Sequence, residues 1–154
     1  MLFNNDKQLE NYLLMKSKSA VSGVERKIHD TIDKCLRQYY AQFEPNEYIR
    51  TEQLLHSLVK TDVKKVGNGF VAEVYFDESA MNYETGSIEI KSTATKDMWG
   101  YATWGAEQVL DTSMHGTHGG YIPGVPIWDK SMTIIGDVYA LIKQELIAQG
   151  VPIK

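Results

Sequence analysis

The sequence predicts an α+β fold: a small antiparallel β-sheet packed against N-terminal and C-terminal helices in a single domain. Apolar residues recur at three-to-four-residue spacing near both ends of the chain, which is the pattern of helices that bury one face. Between these regions, two segments of alternating polarity flank a glycine turn, and such neighbouring strands pair antiparallel. The 154 residues are the usual size of one domain.

The N-terminal helix is predicted over residues 6–43. Ser22-Gly23 is expected to interrupt it, so that residues 1–22 form a helical extension and residues 23–150 form the main domain. Pro45 ends the helical segment, because proline disfavours helical geometry in the residue before it. The apolar face of this helix consists of Val24, Ile28, Ile32, Cys35 or Leu36, Tyr39 and Phe43.

A β-hairpin is predicted after an ambiguous segment in which Thr51 can cap a short helix that carries Leu54, Leu55 and Leu58. Residues 59–66 and 70–77 form its strands, and Gly67-Asn68-Gly69 provides the positive φ angles of a tight turn. Alternate residues of the second strand share a face. One face carries Phe70, Ala72, Val74 and Phe76, and the other carries Val71, Glu73 and Tyr75.

A single C-terminal helix is predicted over residues 129–149, with Gly150 as its C-cap. Its narrow packing seam consists of Trp128, Met132, Ile135, Tyr139, Ile142 and Leu146. Between the hairpin and this helix we predict a third strand over residues 87–92, a short helix over residues 106–114 and a glycine-rich loop over residues 115–126.

Composition excludes several classes of protein. The net charge of −4 argues against a general nucleic-acid binder, although Lys60, Lys64 and Lys65 leave a local basic patch open. The lone Cys35 excludes an intramolecular disulfide. No apolar run approaches the roughly 20 residues that span a bilayer, so we expect no membrane partner.

The glycine-rich loop contains the most conspicuous candidate for a metal site. His115 and His118 have a spacing that can bind zinc, but no third ligand follows at a recognisable distance, and Asp111 is the nearest carboxylate. The loop also lacks the lysine of a phosphate-binding loop. A tight loop whose histidines bond locally is therefore the favoured interpretation, and we expect no cofactor.

The remaining reactive residue types also favour structural roles. Cys35 lies on the apolar face of the first helix, where a free cysteine packs as a small hydrophobe rather than acting as a nucleophile. Glu73, Asp77 and Glu78 match no calcium loop, and acids at a strand end are normally solvated. Because no nucleophile, base and orienting partner come together, we predict that the protein is not an enzyme.

Trp99, Tyr101 and Trp104 lie close together in a glycine-broken stretch, and Tyr121 and Trp128 follow. Aromatic residues on irregular segments are enriched in protein interfaces, but they can equally cap the open end of a core, and both interpretations stay open. The candidate interface comprises Trp99, Tyr101, Trp104, His115, His118, Tyr121 and Trp128.

An ordered set of motifs links the chain to a known family. Tyr39-Tyr40, Pro45, Tyr48 and Arg50-Thr51 precede a leucine pair, and they are followed by Val74-Tyr75-Phe76-Asp77, by the histidine-glycine segment and by Trp128-Asp129. This set, over residues 24–149, resembles a family of tail-component proteins encoded by long-tailed bacteriophages and prophages. The chain departs from that pattern at Ile49, where a basic residue is frequent, and over residues 96–105. Within the resemblance, the fold-defining residues are Tyr39, Tyr40, Pro45, Tyr48, Arg50 and Thr51.

The resemblance implies a ring-forming structural component of the virion, in the neck or tail-completion layer between the head-closure layer and the tail tube. The implied partners are copies of itself, a head-closure or connector protein, and a tail-tube or tail-terminator protein. DNA would pass through the ring without specific binding. Glu73, Asp77 and Glu78 are candidate channel-lining acids that would repel it. We expect synthesis in the host cytoplasm and a final location in the virion neck or tail.

Three alternatives remain at this level. Within phage particles, the chain could instead be a tail terminator or a head-closure protein. A different class is a small metal-dependent hydrolase that uses His115 and His118, which metal analysis would reveal. A third is a ligand-binding domain with the aromatic segment as its pocket, which a thermal-shift response to small molecules would reveal.

Overall fold

A computed structural model describes residues 3–42, 52–81 and 125–153. These residues form a long helix, a short helix, a hairpin of four short strands and two C-terminal helices, so the α+β prediction is confirmed. The predicted third strand, the helix over residues 106–114 and the glycine-rich loop lie outside the described residues. In chain order, the elements are α1 (Asp6–Tyr40), α2 (Gln53–His56), β1 (Leu58–Lys60), β2 (Lys64–Val66), β3 (Gly69–Val71), β4 (Val74–Phe76), a 3₁₀ turn (Glu78–Met81), α3 (Ile127–Ile135) and α4 (Val138–Ala148).

Helix α1 is a single continuous rod of 35 residues, about 52 Å long at 1.5 Å per residue. It begins at the N-cap Asn5, whose side chain accepts a hydrogen bond from the backbone amide of Gln8. The predicted interruption at Ser22-Gly23 is wrong. Glycine is unfavourable in a helix by about 1 kcal/mol, but Gly23 is buried where α4 comes closest. A Cβ atom there would lie 2.8 Å from the Glu145 Oε2 atom, so a larger residue would displace the end of the Glu145 side chain.

The boundary between the predicted 1–22 extension and the 23–150 domain stays a prediction. Burial along α1 is nevertheless uneven. Its first buried residue is Ala20, and none of residues 6–19 is buried.

The hydrophobic core forms where the second half of α1 meets the other elements. The predicted apolar face is confirmed at Ile32, Cys35, Leu36 and Tyr39, each of which is almost fully buried. The Tyr39 ring also packs edge-on against Tyr40, with 5.5 Å between the ring centroids. The partners of α1 in this core are Leu54, Leu55, Leu58 and Ile127. Each such side chain contributes about 1.5–3 kcal/mol by leaving water.

Helix α2 is one turn that places two leucines in the core. Its N-cap falls on Glu52, which has φ 56° and makes no side-chain capping bond, so the cap predicted at Thr51 is wrong. Ser57 closes the turn by donating its hydroxyl to the Leu54 carbonyl, 2.8 Å away. The chain then enters β1, so Leu58 belongs to a strand and not to the helix.

The hairpin is antiparallel, as predicted, but a β-bulge interrupts it. Lys60 pairs with Val74, and Lys64 pairs with Val71, so three residues on one side oppose two on the other. Thr61 bridges this gap. Its amide donates a hydrogen bond to the Glu73 carbonyl, and its hydroxyl accepts one from the Glu73 amide. Each donor–acceptor distance is 2.9 Å.

The extra residue lies in the first strand, so the alternation predicted for the second strand is confirmed. Phe70, Ala72, Val74 and Phe76 are half-buried, whereas Val71, Glu73 and Tyr75 are exposed. At the tip, Gly67 has φ 57° and Asn68 has no positive φ, the pattern of a type II′ turn.

The C-terminal region forms two helices, so the single helix predicted over residues 129–149 is wrong. Gly136 ends α3 with φ 67° and ψ −138°, a backbone conformation that only glycine adopts readily. Asp137 then caps α4 by accepting a hydrogen bond from the amide of Tyr139. The helix end predicted at Gly150 is confirmed. Gly150 and Val151 donate their amides to the carbonyls of Ile147 and Leu146 in a Schellman motif.

The predicted packing seam is confirmed at Ile135 and wrong at three of its other members. In α3 the buried residues are Ile127, Ser131 and Ile135. Trp128 and Met132 lie on the exposed side of α3, and Tyr139 is exposed at the start of α4.

We predict that Gly136→Ala lowers the free energy of unfolding by about 1–3 kcal/mol, because alanine is strained at this φ and ψ. No atom of the described residues lies within 4 Å of a Cβ at this position, so the cost arises from the backbone. Urea denaturation would measure it. Gly69→Ala is the matched control, because Gly69 lacks a positive φ and has room for a methyl group. Equal stability of the two variants would contradict the assignment.

Candidate functional site

Within the described residues, three separate regions expose groups of large apolar side chains. Isolated exposed apolar residues are ordinary, but grouped ones mark interaction surfaces. The first group is Leu9 and Leu13 on α1, with Met15 nearby; the second is Val66, Val71 and Tyr75 on the hairpin; the third is Trp128, Met132, Ile134, Tyr139 and Ile147 on the C-terminal helices.

Helix α4 is the clearest case. Eight of its eleven residues, VYALIKQELIA, are apolar, yet none is buried. One side rests on α1, where Glu145 reaches Gly23 and forms a 2.6 Å ion pair with Lys27. Tyr139, in the first turn, is 74% exposed. A helix of this composition normally buries a stripe on more than one side, so α4 presents unused apolar surface.

The outer face of the hairpin is the second apolar surface. The register pairs Lys64 with Val71 and Val59 with Tyr75, so these residues point to the side away from the half-buried Phe70. Val66 lies on the same outer face, at the tip. The bulge separates the tip from the base without reversing which side these residues occupy.

The third surface is the N-terminal segment of α1, defined here as residues 6–19. Leu9 and Leu13 are four residues apart and therefore lie on one side of the helix. The same side becomes buried further along at Ala20 and Val24. The apolar face of α1 thus continues outward beyond the part of the protein that covers it.

A groove of about 480 Å³ runs between α1 and the junction of α3 and α4. Its α1 wall includes Lys27, Thr31 and Lys34, and Ile134 and Leu141 lie opposite. Cys35 lies at its base and is 2% exposed, which confirms the prediction that it packs in the core. Burial leaves the thiol without the exposure that a nucleophile needs.

Glu25 is a buried charge that sequence analysis missed. Its side chain is 6% exposed, its Oε2 atom lies 3.8 Å from the Lys60 Nζ atom, and its Oε1 atom has no hydrogen-bond partner among the described residues. Lys60 therefore neutralises an internal carboxylate, whereas Lys64 and Lys65 are exposed on the hairpin. The sequence carried no direct signal for this pair, because its members are 35 positions apart.

The predicted site residues fall into two sets. Six of them lie in the described part of the chain: Tyr39, Tyr40, Glu73, Asp77, Glu78 and Trp128. Outside the described residues lie Pro45, Tyr48, Arg50, Thr51, Trp99, Tyr101, Trp104, His115, His118 and Tyr121, so their predicted roles stay predictions.

Trp128 lies in the first turn of α3 and is 43% exposed. Within residues 3–42, 52–81 and 125–153, no three His, Cys, Asp or Glu side chains form a group that could hold a metal ion. The helices of these same ranges are too short or too polar to cross a membrane.

Asp77 has a local structural role in addition to its predicted place in a channel. Its Oδ1 atom accepts a 2.6 Å hydrogen bond from the Ser79 hydroxyl and a 3.0 Å bond from the Ser79 amide, at the start of the 3₁₀ turn. These bonds stabilise the ionised form and lower the pKa of the Asp77 carboxyl below its ordinary value.

One sequence family covers nearly all of the elements described above. The profile of the YomN family matches residues 5–150. The protein belongs to the YomN family. This is a family of phage-encoded proteins, so the phage origin implied by the sequence motifs is confirmed, as is the single α+β domain. Searches of the curated proteins and of the solved structures find no match.

We predict that Ser79→Ala raises the pKa of Asp77 toward its ordinary value, because the hydroxyl donor is lost. NMR titration of the carboxyl carbon would measure the change. With a lowered pKa, Asp77 stabilises the fold above the pKa of the unfolded chain, and this contribution is lost as pH falls through the folded pKa. Ser79→Thr retains the hydroxyl and is the control. An unchanged pKa in Ser79→Ala would exclude the hydroxyl as the main cause.

We predict that Lys60→Met lowers the free energy of unfolding by about 1–2 kcal/mol, because the buried Glu25 carboxylate loses its cation. The half-exposed position of Lys60 keeps this cost below that of a fully buried pair. Glu25→Leu combined with Lys60→Met should restore or exceed the original stability. Lys64→Met removes an exposed charge and should change stability by less than about 0.5 kcal/mol. A double variant as unstable as Lys60→Met would contradict the pairing.

Proposed function

We propose that this YomN-family protein is a structural subunit of the phage particle that forms a ring in the neck or tail-completion layer, between the head-closure layer and the tail tube. It acts by contact and not by catalysis. The observation that carries this proposal is α4, an apolar helix with no buried residue. Such a surface is covered when subunits assemble.

The distribution of apolar surface supports a subunit with several neighbours. A ring subunit needs two different faces for its lateral neighbours and further faces for the layers above and below. The N-terminal segment of α1, the outer face of the hairpin and the C-terminal helices are three such faces on different elements. The proposed partners are therefore copies of this chain, a head-closure or connector protein, and a tail-tube or tail-terminator protein.

The channel hypothesis belongs to the same proposal. Glu73 and Glu78 are exposed, whereas the Asp77 carboxylate is engaged by Ser79. With a net charge of −4 and acids toward the lumen, a ring would repel DNA and let it pass without specific binding. Glu73 and Glu78 are thus the two residues on which a channel role depends. An assembled ring with both of them buried between subunits would contradict it.

Quantitative mass spectrometry of purified virions tests the placement. We expect a constant, low copy number comparable to that of the portal protein, because a ring stacked on the portal axis has few subunits. Absence from virions would overturn the proposal.

Analysis of tail-less heads and free tails would separate it from the related possibility of a tail terminator or a head-closure protein. About one zinc ion bound per purified chain would favour the hydrolase alternative at His115 and His118.

We predict that Tyr139→Ser reduces incorporation into virions several-fold while changing the free energy of unfolding by less than about 0.5 kcal/mol, because Tyr139 contacts solvent in the free subunit. Gln144→Ser changes an exposed polar residue of the same helix and is the matched control. Incorporation is read by mass spectrometry and stability by urea denaturation. Normal incorporation of Tyr139→Ser would remove α4 from the contacts.

A further inference from the structure

Helix α4 packs on α1 through a contact that can be released. None of its residues is buried, and the end of the Glu145 side chain lies against Gly23 and beside Lys27. The Lys27 side chain is 51% exposed, and ion pairs at such positions contribute little to stability. Because α4 has its own N-cap at Asp137 and its own Schellman motif at Gly150, it can leave α1 as an intact helix.

The junction before α4 is also free to change. Gly136 has φ 67° and ψ −138°, and among the described residues no atom would contact a Cβ there, so local packing does not hold the bend. Residues 127–148 contain no proline, and Ile135, Tyr139 and Ile142 continue the helical spacing across the bend. The same residues can therefore form one continuous helix, about 33 Å long.

Straightening the junction replaces one set of local interactions with another. Glycine adopts both the bent and the helical backbone conformation, so Gly136 permits the change. Asp137 would lose its capping bond to Tyr139, but the amides of the first turn of α4 would gain the last carbonyls of α3 as hydrogen-bond acceptors. The bent form keeps α4 on its own α1, and the straight form turns α4 away from it.

The surface of α1 that α4 then leaves fits the same helix best. Gly23 provides a space that a side chain at that position would fill, and Lys27 places a positive charge beside this space. The Glu145 side chain matches both features, as the contact within one chain shows. In a second copy, α4 carries the same carboxylate and needs no new complementarity. Exchange of an identical element between copies is for this reason a low-cost route to association.

We propose that α4 is exchanged between copies: the junction at Gly136-Asp137 straightens, and α4 of one copy packs against Gly23 and Lys27 of another. This rests on the self-association in the proposed function and specifies how neighbouring subunits are joined. Passing each α4 to the next copy continues around a ring, whereas reciprocal exchange gives a dimer.

Disulfide trapping between two kinds of copy tests the exchange. One copy carries Gly23→Cys and the other Glu145→Cys, both as full-length chains in a Cys35→Ala background. A Cβ at position 23 would lie 3.4 Å from the Glu145 Cγ atom, which is close enough for a disulfide. The two variants are co-expressed, and both the purified protein and assembled virions are mildly oxidised. Each copy has one cysteine, so a link between positions 23 and 145 joins two copies, and we expect mass spectrometry to find it.

Substitutions at the junction should shift the exchange in opposite directions. Val138→Pro fits the bent form, because proline is favoured at the first residue of a helix and Asp137 already has the φ −80° and ψ 110° that suit the residue before proline. The same proline is strongly unfavourable inside a continuous helix, whereas Gly136→Ala disfavours the bend. In chains without added cysteines, native mass spectrometry should show associated species reduced about fivefold by Val138→Pro and raised about fivefold by Gly136→Ala.

Val138→Ala is the matched control, because it shortens the side chain without restricting the backbone, and it should leave association unchanged. A chain with both Gly23→Cys and Glu145→Cys should link within itself in the bent form. Equal association of Val138→Pro and Val138→Ala would overturn the exchange, as would the lack of any 23–145 link between copies in both samples. The copy number in virions judges the proposed function separately. A portal-like number without the link overturns only the exchange, and a link in the purified protein with no chain in virions overturns only the placement in the particle.

Discussion

The continuity of α1 is the constraint on which the rest of the structure depends. Its second half provides one wall of the core, and α2, β1 and α3 all complete that core against it. Gly23 leaves room for the Glu145 side chain of α4, and Glu145 forms an ion pair with Lys27. Lys27 and the core residues that follow it lie on one unbroken helix, so α1 holds the contact with α4 and the core together.

Helix α1 has one part that the other described elements cover and another part whose apolar side is exposed. Beyond Ala20 toward the N-terminus, an isolated helix of some 14 residues has marginal stability in water. Its attachment to a buried helix removes the cost of nucleation, so it can remain helical with its apolar side exposed. Exposed apolar surface raises the free energy of a free subunit. That free energy falls once a partner covers the surface. This balance suits a component whose final state is an assembly.

Periodicity in the sequence predicted the elements that depend on local pattern. The apolar face at Ile32, Leu36 and Tyr39 and the alternation from Phe70 to Phe76 are both set by spacing, and both are present. The break at Gly136 was missed because apolar spacing of three and four continues across it. The bulge at Thr61 was missed because an extra residue leaves the pattern of the opposite strand intact. The burial of Glu25 was missed because its partner, Lys60, is distant from it in the sequence. Of the predicted interface, Trp128 is exposed on α3, and the other members lie outside the described residues.

The junction of Gly136 and Asp137 has a consequence for the dynamics of the protein. Helix α3 is held by buried Ile127 and Ile135, whereas α4 has no buried residue and carries its own cap. Two helices with separate caps and unequal burial form separate cooperative units, and the less buried one opens at lower free energy. Amide protons of α4 should therefore exchange with solvent ahead of those in α3. A partner that covers α4 would raise the free energy of this opening and slow the exchange of its amide protons.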